Sequence, residues 1–339
     1  MKQRYTLHDV AKQAGVSYQT VSRVINGHPS VSPPTRARVQ QVIHELGYHP
    51  NKVAKSLAAN RSHTLAILTF GLDHFGPAQM VIHIERTAKE LGYDLVLSNL
   101  NELSVHEVRR ALDSLTGRQV DGILTISPVT GITYEEIAEL CRGIPVVQID
   151  PQIGLNVPSV VVDQKYGSQL VTEYLLSLGH RHIAEISGPL NWFGAIARHE
   201  QWRVVMRAAG LPTYRTVEGD WTARGGYAAA RRLLAAHPDL TAIVVGNDQM
   251  ALGVIAALND HGLRVPLDVS VVGFDDIPEA AFFRPALTTV QQDFKALGAT
   301  GVRYLLELIE NPKAEIVQHR LQPHLIIRDS AAPWRATLD

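Results

Sequence analysis

The spacing of apolar side chains divides this chain into two parts. Up to Tyr48 they recur every three or four positions, which predicts short amphipathic helices. From Thr64 onward, short continuous apolar runs alternate with helical segments, which predicts parallel strands covered on both faces. The pattern predicts an α/β protein that begins with a small all-α domain.

Three helices are predicted in the N-terminal part, and local signals mark their ends. Thr6 and Asp9 have the form of a capping box, and Gly15 ends the first helix. Ser17 is expected to cap the second helix, and Ser32 the third, which starts with two prolines. Two helices joined by a short glycine-containing turn predict a helix-turn-helix. Their predicted apolar faces contain Val10, Ala11, Ala14, Val16, Val21, Val24, Ile25, Val39, Val42, Ile43 and Leu46.

The outer face of the second helix is polar and is not needed by this small core. It carries Tyr18, Gln19, Ser22 and Arg23, on the N-terminal turns that enter a major groove in helix-turn-helix proteins. Arginine pairs with guanine in a bidentate manner, and glutamine pairs so with adenine. The pattern predicts a DNA-reading face, and the alternative is a solvated polar face.

The charge distribution favours DNA. Residues 1–62 contain nine Lys or Arg against two acidic residues, although the formal net charge of the whole chain is −1. A positive excess at one end predicts contact with phosphate.

A short linker follows, in which Pro50 ends the preceding structure and Asn51 can cap a helix of two turns at most. Such a helix is marginal in water on its own. Leu57 has no local apolar partner. A plain tether is the alternative to a functional hinge helix.

Strands and helices then alternate in two successive units of similar size. This rhythm predicts two lobes with parallel sheets and a cleft between them. The predicted strands are 65–70, 95–97, 122–126 and 146–149, then 160–162, 183–186, 242–245 and 270–274.

Polar and aromatic side chains lie just beyond these strands, where such folds place ligands. Carboxylates, an arginine and amides suit sugar hydroxyls, and aromatic rings suit the apolar face of a pyranose. Each Asp or Asn alone is as often a cap or turn former. As a set they predict a sugar site made of Asp150, Arg198, Trp221, Asn247, Asp275, Gln292 and Phe294.

Three motifs at fixed offsets, residues 6–11, 15–24 and 47–51, resemble the N-terminal signature of the LacI/GalR family of transcription repressors. The resemblance extends over nearly the whole chain. It implies a two-lobed core similar to periplasmic binding proteins, with crossings between the lobes near residues 162, 291 and 321.

The expected domains follow from this resemblance. Residues 1–49 form a helix-turn-helix DNA-binding domain, and residues 50–63 form a hinge helix and linker. Residues 64–330 form a two-lobed sugar-binding and dimerisation core. Lobe one takes about 64–162 and 293–321, and lobe two takes about 163–291 and 322–330.

The resemblance also implies contacts with double-stranded operator DNA, with Leu57 as a wedge in the central minor groove. The expected DNA-contacting residues are Thr6, Ser17, Tyr18, Gln19, Thr20, Ser22, Arg23, Asn26, Asn51, Ala54 and Leu57.

In the core, Arg198, Trp221, Asn247 and Asp275 match the sugar-binding motifs of the family. Phe70 and Ile126 stand where a family member has a serine and an asparagine, and Trp192 belongs to a segment that is small and more polar there. These changes make the expected pocket more aromatic, and Phe70 and Trp192 join the candidate ligand-binding residues. A galactoside-like pyranose is the expected effector.

Other classes fit less well. The sequence lacks the glycine-rich nucleotide loops, the serine-hydrolase elbow and the zinc-protease motif, so we expect no enzyme, cofactor or metal site. It has no run of 18 apolar residues, no apolar leader segment and one cysteine, Cys141, which predicts a cytoplasmic, nucleoid-associated protein. No leucine heptads follow Arg328, so we expect a homodimer formed by the core lobes. The alternatives are a sugar-transport binding protein and an architectural DNA protein.

Overall fold

The computed structural model describes residues 5–48, 61–102, 104–126 and 133–334. The chain forms two compact units, Met1–Ser62 and His63–Asp339.

The first unit contains helices α1 (Leu7–Ala14), α2 (Tyr18–Ile25) and α3 (Pro33–Leu46). The predicted capping box between Thr6 and Asp9 is confirmed, and Gly15 ends α1 in the left-handed conformation with φ 63°. The Ser17 hydroxyl accepts a hydrogen bond from the Thr20 amide, as predicted.

Ser32 occupies the N-cap position of α3, but its side chain does not cap the helix. Its hydroxyl lies instead 2.9 Å from the Thr35 hydroxyl. The expectation of a side-chain cap was therefore wrong. Pro33 and Pro34 have no N–H group, so two of the helix-end donors that a cap normally satisfies are missing.

The core of the first unit is small and consists mainly of valines. Val10, Val21 and Val39 are completely buried, and Tyr48 closes the cluster. The four predicted core residues that pack only at its margin, half-buried, are Val16, Ile25, Ile43 and Leu46.

The second unit alternates strands and helices as the apolar pattern predicted. Its first half contains β1 (Thr64–Phe70), α4 (Phe75–Glu90), β2 (Asp94–Leu100), α5 (Val105–Thr116), β3 (Gly122–Ile126), α6 (Tyr134–Leu140), β4 (Val146–Ile149) and β5 (Ser159–Val162). Its second half contains α7 (Gln164–Ser177), β6 (Ile183–Ser187), α8 (Phe193–Ala208), β7 (Thr216–Glu218), α9 (Ala223–Ala236), β8 (Ala242–Val245), α10 (Asp248–Asp260), β9 (Ser270–Val272), β10 (Thr289–Gln291), α11 (Phe294–Glu310), β11 (Gln318–Leu321) and β12 (His324–Ile326).

These strands form two parallel sheets, which we call the first and second lobe sheets. The first has the order β11-β5-β4-β3-β1-β2, and the second has the order β7-β6-β8-β9. The chain passes between the lobes after Val162, after Gln291 and after Leu321. The antiparallel pair β10-β12 adjoins the second sheet through a bridge between Val272 and Thr288.

Each sheet is buried on both faces because successive strand residues point to opposite sides. In the first sheet, Leu65 and Ile67 pack with residues of α4 and α11, whereas Ala66 and Leu68 pack with residues of α5 and α6. In the second sheet, α9 and α10 cover one face and α7 and α8 the other. This arrangement explains the continuous apolar runs in the sequence.

β9 ends at Val272, two residues earlier than predicted. The backbone turns away after Gly273, and both Asp275 and Asp276 adopt positive φ angles. Phe274 lies beyond the end of the strand, but its side chain is buried in the cluster that α7 and α8 form on one face of the sheet. The apolar run in the sequence is therefore longer than the strand.

The close contact between α9 and α10 depends on glycine, and Gly253→Ala is expected to destabilise the second unit. A Cβ at Gly253 would overlap the backbone carbonyl of Ala223 and lie 2.7 Å from the Tyr227 nitrogen. The added methyl group would meet backbone atoms, and the backbones of two packed helices cannot move apart at one position alone. We therefore expect a loss of about 1–3 kcal/mol in the free energy of unfolding. Denaturant unfolding measures it.

Gly117→Ala is the matched control, since its Cβ would lie in ordinary contact 3.5 Å from the Asp113 carbonyl oxygen. Equal unfolding midpoints for both variants would contradict the proposed backbone contact.

Within the described ranges, no helix combines the length and apolar character needed to cross a membrane.

Candidate functional site

The polar face of α2 is exposed as the sequence predicted. Tyr18 is 48% exposed, and Gln19 and Arg23 also face solvent, whereas Val21 and Val24 are buried. Among residues 5–48, the side chains of Gln19 and Arg23 make no hydrogen bond or ion pair. Their donors and acceptors are therefore available for an external partner.

Other predicted DNA-contacting residues also have structural tasks. Thr6 and Ser17 cap helices, and Thr20 shares a 2.9 Å hydrogen bond with Ser17. Asn26 ends α2, and its amide lies 3.4 Å from the Ser22 hydroxyl. Asn51, Ala54 and Leu57 lie outside the described residues.

His8 is part of this face, although the sequence interpretation did not include it. Its ring stacks on Tyr18 with centroids 5.0 Å apart and planes 29° apart. This contact between α1 and α2 restricts the orientation of the tyrosine ring. The signal in the sequence that could have indicated this contact was the placement of two aromatic residues, His8 and Tyr18, on either side of the predicted turn.

The second unit contains a cleft between its two lobes, which we call the effector pocket. It has an empty volume of about 670 Å³, including its open mouth. Eight of the nine predicted ligand-binding residues line it: Asp150, Trp192, Arg198, Trp221, Asn247, Asp275, Gln292 and Phe294.

Phe70 does not line this pocket, contrary to the prediction. Its ring packs against Trp192, with centroids 5.7 Å apart. Trp192 extends from the second lobe and also meets His74 of the first lobe at 5.5 Å. Trp192 thus contacts two aromatic rings of the first lobe.

A chain of hydrogen bonds joins two carboxylates across the cleft. The Gln292 amide donates to Asp275 at 2.6 Å, and the Gln164 amide donates to Gln292 at 2.9 Å. The same Gln164 nitrogen donates to Asp150 at 3.2 Å, and the Val162 amide donates to the other Asp150 oxygen at 3.1 Å. Gln164 was missed by sequence reasoning, although it directly follows a predicted crossing between lobes.

Arg198 is held by backbone carbonyls and aromatic rings. Its guanidinium donates to Gly246 at 2.6 Å and to Gly194 at 3.2 Å. It also lies 4.1 Å from the centre of the Phe274 ring and 5.3 Å from that of Trp221. In the part of the chain that is described, no carboxylate lies within 4.0 Å of it, so further N–H groups are left to meet a ligand.

Burial changes the protonation of these charged groups. Burial raises the pKa of Asp275 to about 6, against the opposing charge of Arg198 and the hydrogen bond from Gln292. Burial also raises the pKa of Asp150 and lowers that of Arg198. Titratable groups with displaced pKa values in a cleft are typical of functional sites.

Three pocket residues have strained backbones. The φ angles are 55° at Asp150, 69° at Trp221 and 114° at Asp275. Non-glycine residues rarely adopt such angles, and they tend to cluster at ligand sites where the surrounding structure enforces them.

Both polar atoms of the Asn247 side chain already form hydrogen bonds within the protein. Its side-chain oxygen accepts from the Met250 amide at 2.9 Å, which caps α10, and its nitrogen donates to the Trp221 carbonyl at 3.1 Å. This second bond anchors Trp221, whose ring meets Trp192 edge-on at 5.9 Å.

The neighbouring carboxylates Asp248 and Asp276 serve the fold. Asp248 is completely buried and accepts from Thr289 and the Ile277 amide. Asp276 pairs with Arg328 at 2.7 Å. The residues that the structure describes include no cluster of three or more metal-binding side chains.

The pKa of Asp275 predicts that effector affinity falls with acidity. A sugar hydroxyl donates a stronger hydrogen bond to the ionised Asp275 carboxylate than to the neutral acid, and in the free protein the acid holds its proton below about pH 6. Between pH 7.5 and 5 we therefore expect a roughly tenfold loss of affinity. Calorimetric titration at both values measures it, with an unfolding curve at pH 5 to show that the protein stays folded. Equal affinities would mean that Asp275 does not bind as a carboxylate.

Comparison with known proteins places this geometry in a family. Residues 6–51 match the model "Bacterial regulatory proteins, lacI family", and residues 172–331 match the "Periplasmic binding protein-like domain". The chain is 37% identical to the lactose operon repressor of Escherichia coli K12 over 303 residues, 89% of this chain and 84% of that protein. It is also 37% identical to the ribose operon repressor of the same strain, over 96% and 99% of the two chains.

A solved structure agrees over nearly the full length. The lac repressor dimer bound to operator and the anti-inducer ONPF superposes with a TM-score of 0.92 at 34% identity, covering 97% of this chain and all of that one. These relatives are repressors and not enzymes, as the sequence led us to expect. With an exposed reading helix, two parallel-sheet lobes and full-length similarity to these repressors, the chain belongs to the LacI family of bacterial regulatory proteins.

Proposed function

We propose that this protein is a homodimeric transcription repressor whose operator affinity is controlled by a galactoside-like pyranose bound in the effector pocket. The observation that carries the proposal is that Asp275 and Arg198 line the same pocket beside an aromatic wall, both with hydrogen-bonding capacity left over. A strained, buried carboxylate and a buried guanidinium without an ion-pair partner are costly unless a ligand completes them.

The two sides of the pocket favour an amphipathic ligand. The second lobe supplies Asp275 and Arg198, while the first lobe supplies Asp150 and otherwise mainly apolar surface, including Phe75, Met80 and Ile126. A pyranose has this character, because its hydroxyls lie at the ring edge and its C–H groups form an apolar face. A sugar with an apolar substituent fits the first-lobe side better than one that needs hydrogen bonds there.

Exposed apolar side chains support a dimer formed by the core. Ile82 on α4 and Leu97 on the edge strand β2 are both exposed in the first lobe, and Leu252 and Phe282 are exposed in the second. α5 presents charged residues such as Arg109 and Arg110 outward, so α4 and β2 are the better candidates. Two copies would place two reading helices on the two halves of a pseudo-palindromic operator.

The coupling between the sites is proposed to pass through the relative position of the lobes. Trp192 already touches both lobes, and a Cβ at Gly71 would lie 2.7 Å from its ring. A sugar that changes this contact is proposed to shift the first lobe, and this shift to be passed on to the DNA-binding domain. DNA affinity falls as a result, which is allostery between two distinct sites.

A sugar-transport binding protein is the other candidate, because it would share the two-lobed core. It would have no use for the exposed reading face of α2, so this face favours the repressor.

Thermal-shift screening against a panel of monosaccharides and galactosides, followed by a gel shift with DNA upstream of the gene, tests the proposal. We expect the sugar that raises the melting temperature to release the operator. If the stabilising sugar leaves operator binding unchanged, the core is not a sugar sensor for this DNA-binding domain.

A further inference from the structure

A second compartment opens beside the effector pocket, between the segment after β4 and the start of α7 and α8. Its empty volume is about 820 Å³, including its mouth, and it shares Asp150 and Gly194 with the effector pocket.

The passage between the two compartments runs past Gly194. A Cβ there would lie 3.2 Å from an Arg198 nitrogen and 3.7 Å from the side-chain carbon of Gln164. The missing side chain therefore leaves room at the junction, and Asp150 can be reached from both sides.

Gln164 offers an unused acceptor in this wall. The side chain is 5% exposed, and its nitrogen donates to both Asp150 and Gln292, which fixes the orientation of the amide. Its oxygen has no hydrogen-bond partner among the described residues. Buried polar atoms in folded proteins normally have a partner. The oxygen is itself buried, so a ligand hydroxyl can donate to it once the side chains around it move apart.

The rest of the wall is an apolar platform with a polar rim. Phe193, Ile153 and Ile196 supply the platform. At the rim, Lys165 and Glu200 form an ion pair at 3.0 Å with both side chains about half exposed. Lys165 is thus already neutralised, and the remaining charge belongs to Asp150, so the compartment suits neutral hydroxyl groups and disfavours phosphate.

We propose that the effector is a neutral disaccharide-sized glycoside, whose second ring occupies this second compartment. One ring binds Asp275 and Arg198 in the effector pocket. The second ring stacks on Phe193, donates a hydroxyl to Gln164 and reaches the Lys165–Glu200 pair. This inference rests on the proposed sugar-binding function and deepens it.

Calorimetric titration of the full-length protein tests the size of the effector. The probes are galactose and glucose, the disaccharides lactose, melibiose, cellobiose and maltose, and glucose 6-phosphate. We expect at least one disaccharide to bind tenfold or more tightly than either monosaccharide, and the phosphate to bind no better than glucose.

Variants of the second compartment test the location. Ala197→Leu fills it from α8, and we expect a tenfold or greater loss for the disaccharide with the monosaccharide affinity unchanged. Ala208→Leu is the matched control, the same substitution at an exposed position of the same helix. Glu200→Ala, at an exposed side chain, gives a second test that does not disturb packing, with an expected loss of several-fold for the disaccharide alone.

The outcomes separate the two proposals. If a monosaccharide binds as tightly as every disaccharide and also releases the operator, the second-ring inference is wrong and the proposed function stands. The inference also fails if Ala197→Leu and Glu200→Ala both leave disaccharide affinity unchanged, or if glucose 6-phosphate binds best. If no saccharide binds at all, both the proposed function and this inference are overturned.

Discussion

Asp275→Ala and Arg198→Ala are each expected to abolish the response to effector while operator affinity stays near that of the wild type. Among the described residues, the Asp275 carboxylate accepts one hydrogen bond, from Gln292, so its other oxygen remains for hydroxyls of the sugar. Arg198 is buried and anchored to backbone carbonyls. Removing either group leaves hydroxyls of the sugar without their charged hydrogen-bond partner in a buried site, at a cost of about 3 kcal/mol in binding, which corresponds to a loss of about a hundredfold.

Calorimetric titration with the sugar that stabilises the wild type measures this loss, and fluorescence anisotropy with labelled operator measures DNA affinity. Asp260→Ala, an exposed aspartate at the end of α10, is the matched control. Wild-type titration curves for Asp275→Ala and Arg198→Ala would place the effector elsewhere in the cleft.

Arg23→Ala is expected to weaken operator binding by about 1–3 kcal/mol and to relax selectivity at one guanine in each half-site. Arg23 lies on the exposed face of α2 and makes no ion pair among residues 5–48. Its loss therefore leaves the fold intact, and the whole effect falls on DNA recognition.

Competition binding with an operator series substituted at each position measures the selectivity. Arg38→Ala, another exposed arginine of the same unit, should leave the operator-to-random affinity ratio unchanged. An unchanged ratio in Arg23→Ala itself would show that α2 is oriented differently in the groove.

The site residues show where inference from the chain alone was accurate and where it was not. Asp150 and Asp275 were expected at the pocket because they follow buried strands, and strands of a parallel sheet end at a common edge. Trp221 was expected there from its family motif, and all three residues line the pocket. Phe70 was expected to line the pocket, but its ring packs against Trp192 of the other lobe, which lines the pocket itself. Asn247 was expected to bind ligand, but its two polar atoms clamp α10 and Trp221.

By itself, the sequence determined the features that depend on near neighbours in the chain. These include the caps at Thr6 and Ser17, the left-handed stop at Gly15 and the buried strands, since caps act over three residues and strand burial follows local periodicity. Only the tertiary structure decided which side chains meet across the cleft. The Asp150–Gln164–Gln292–Asp275 chain joins residues more than 100 positions apart, because the chain crosses between the lobes three times and brings distant strand ends to one edge.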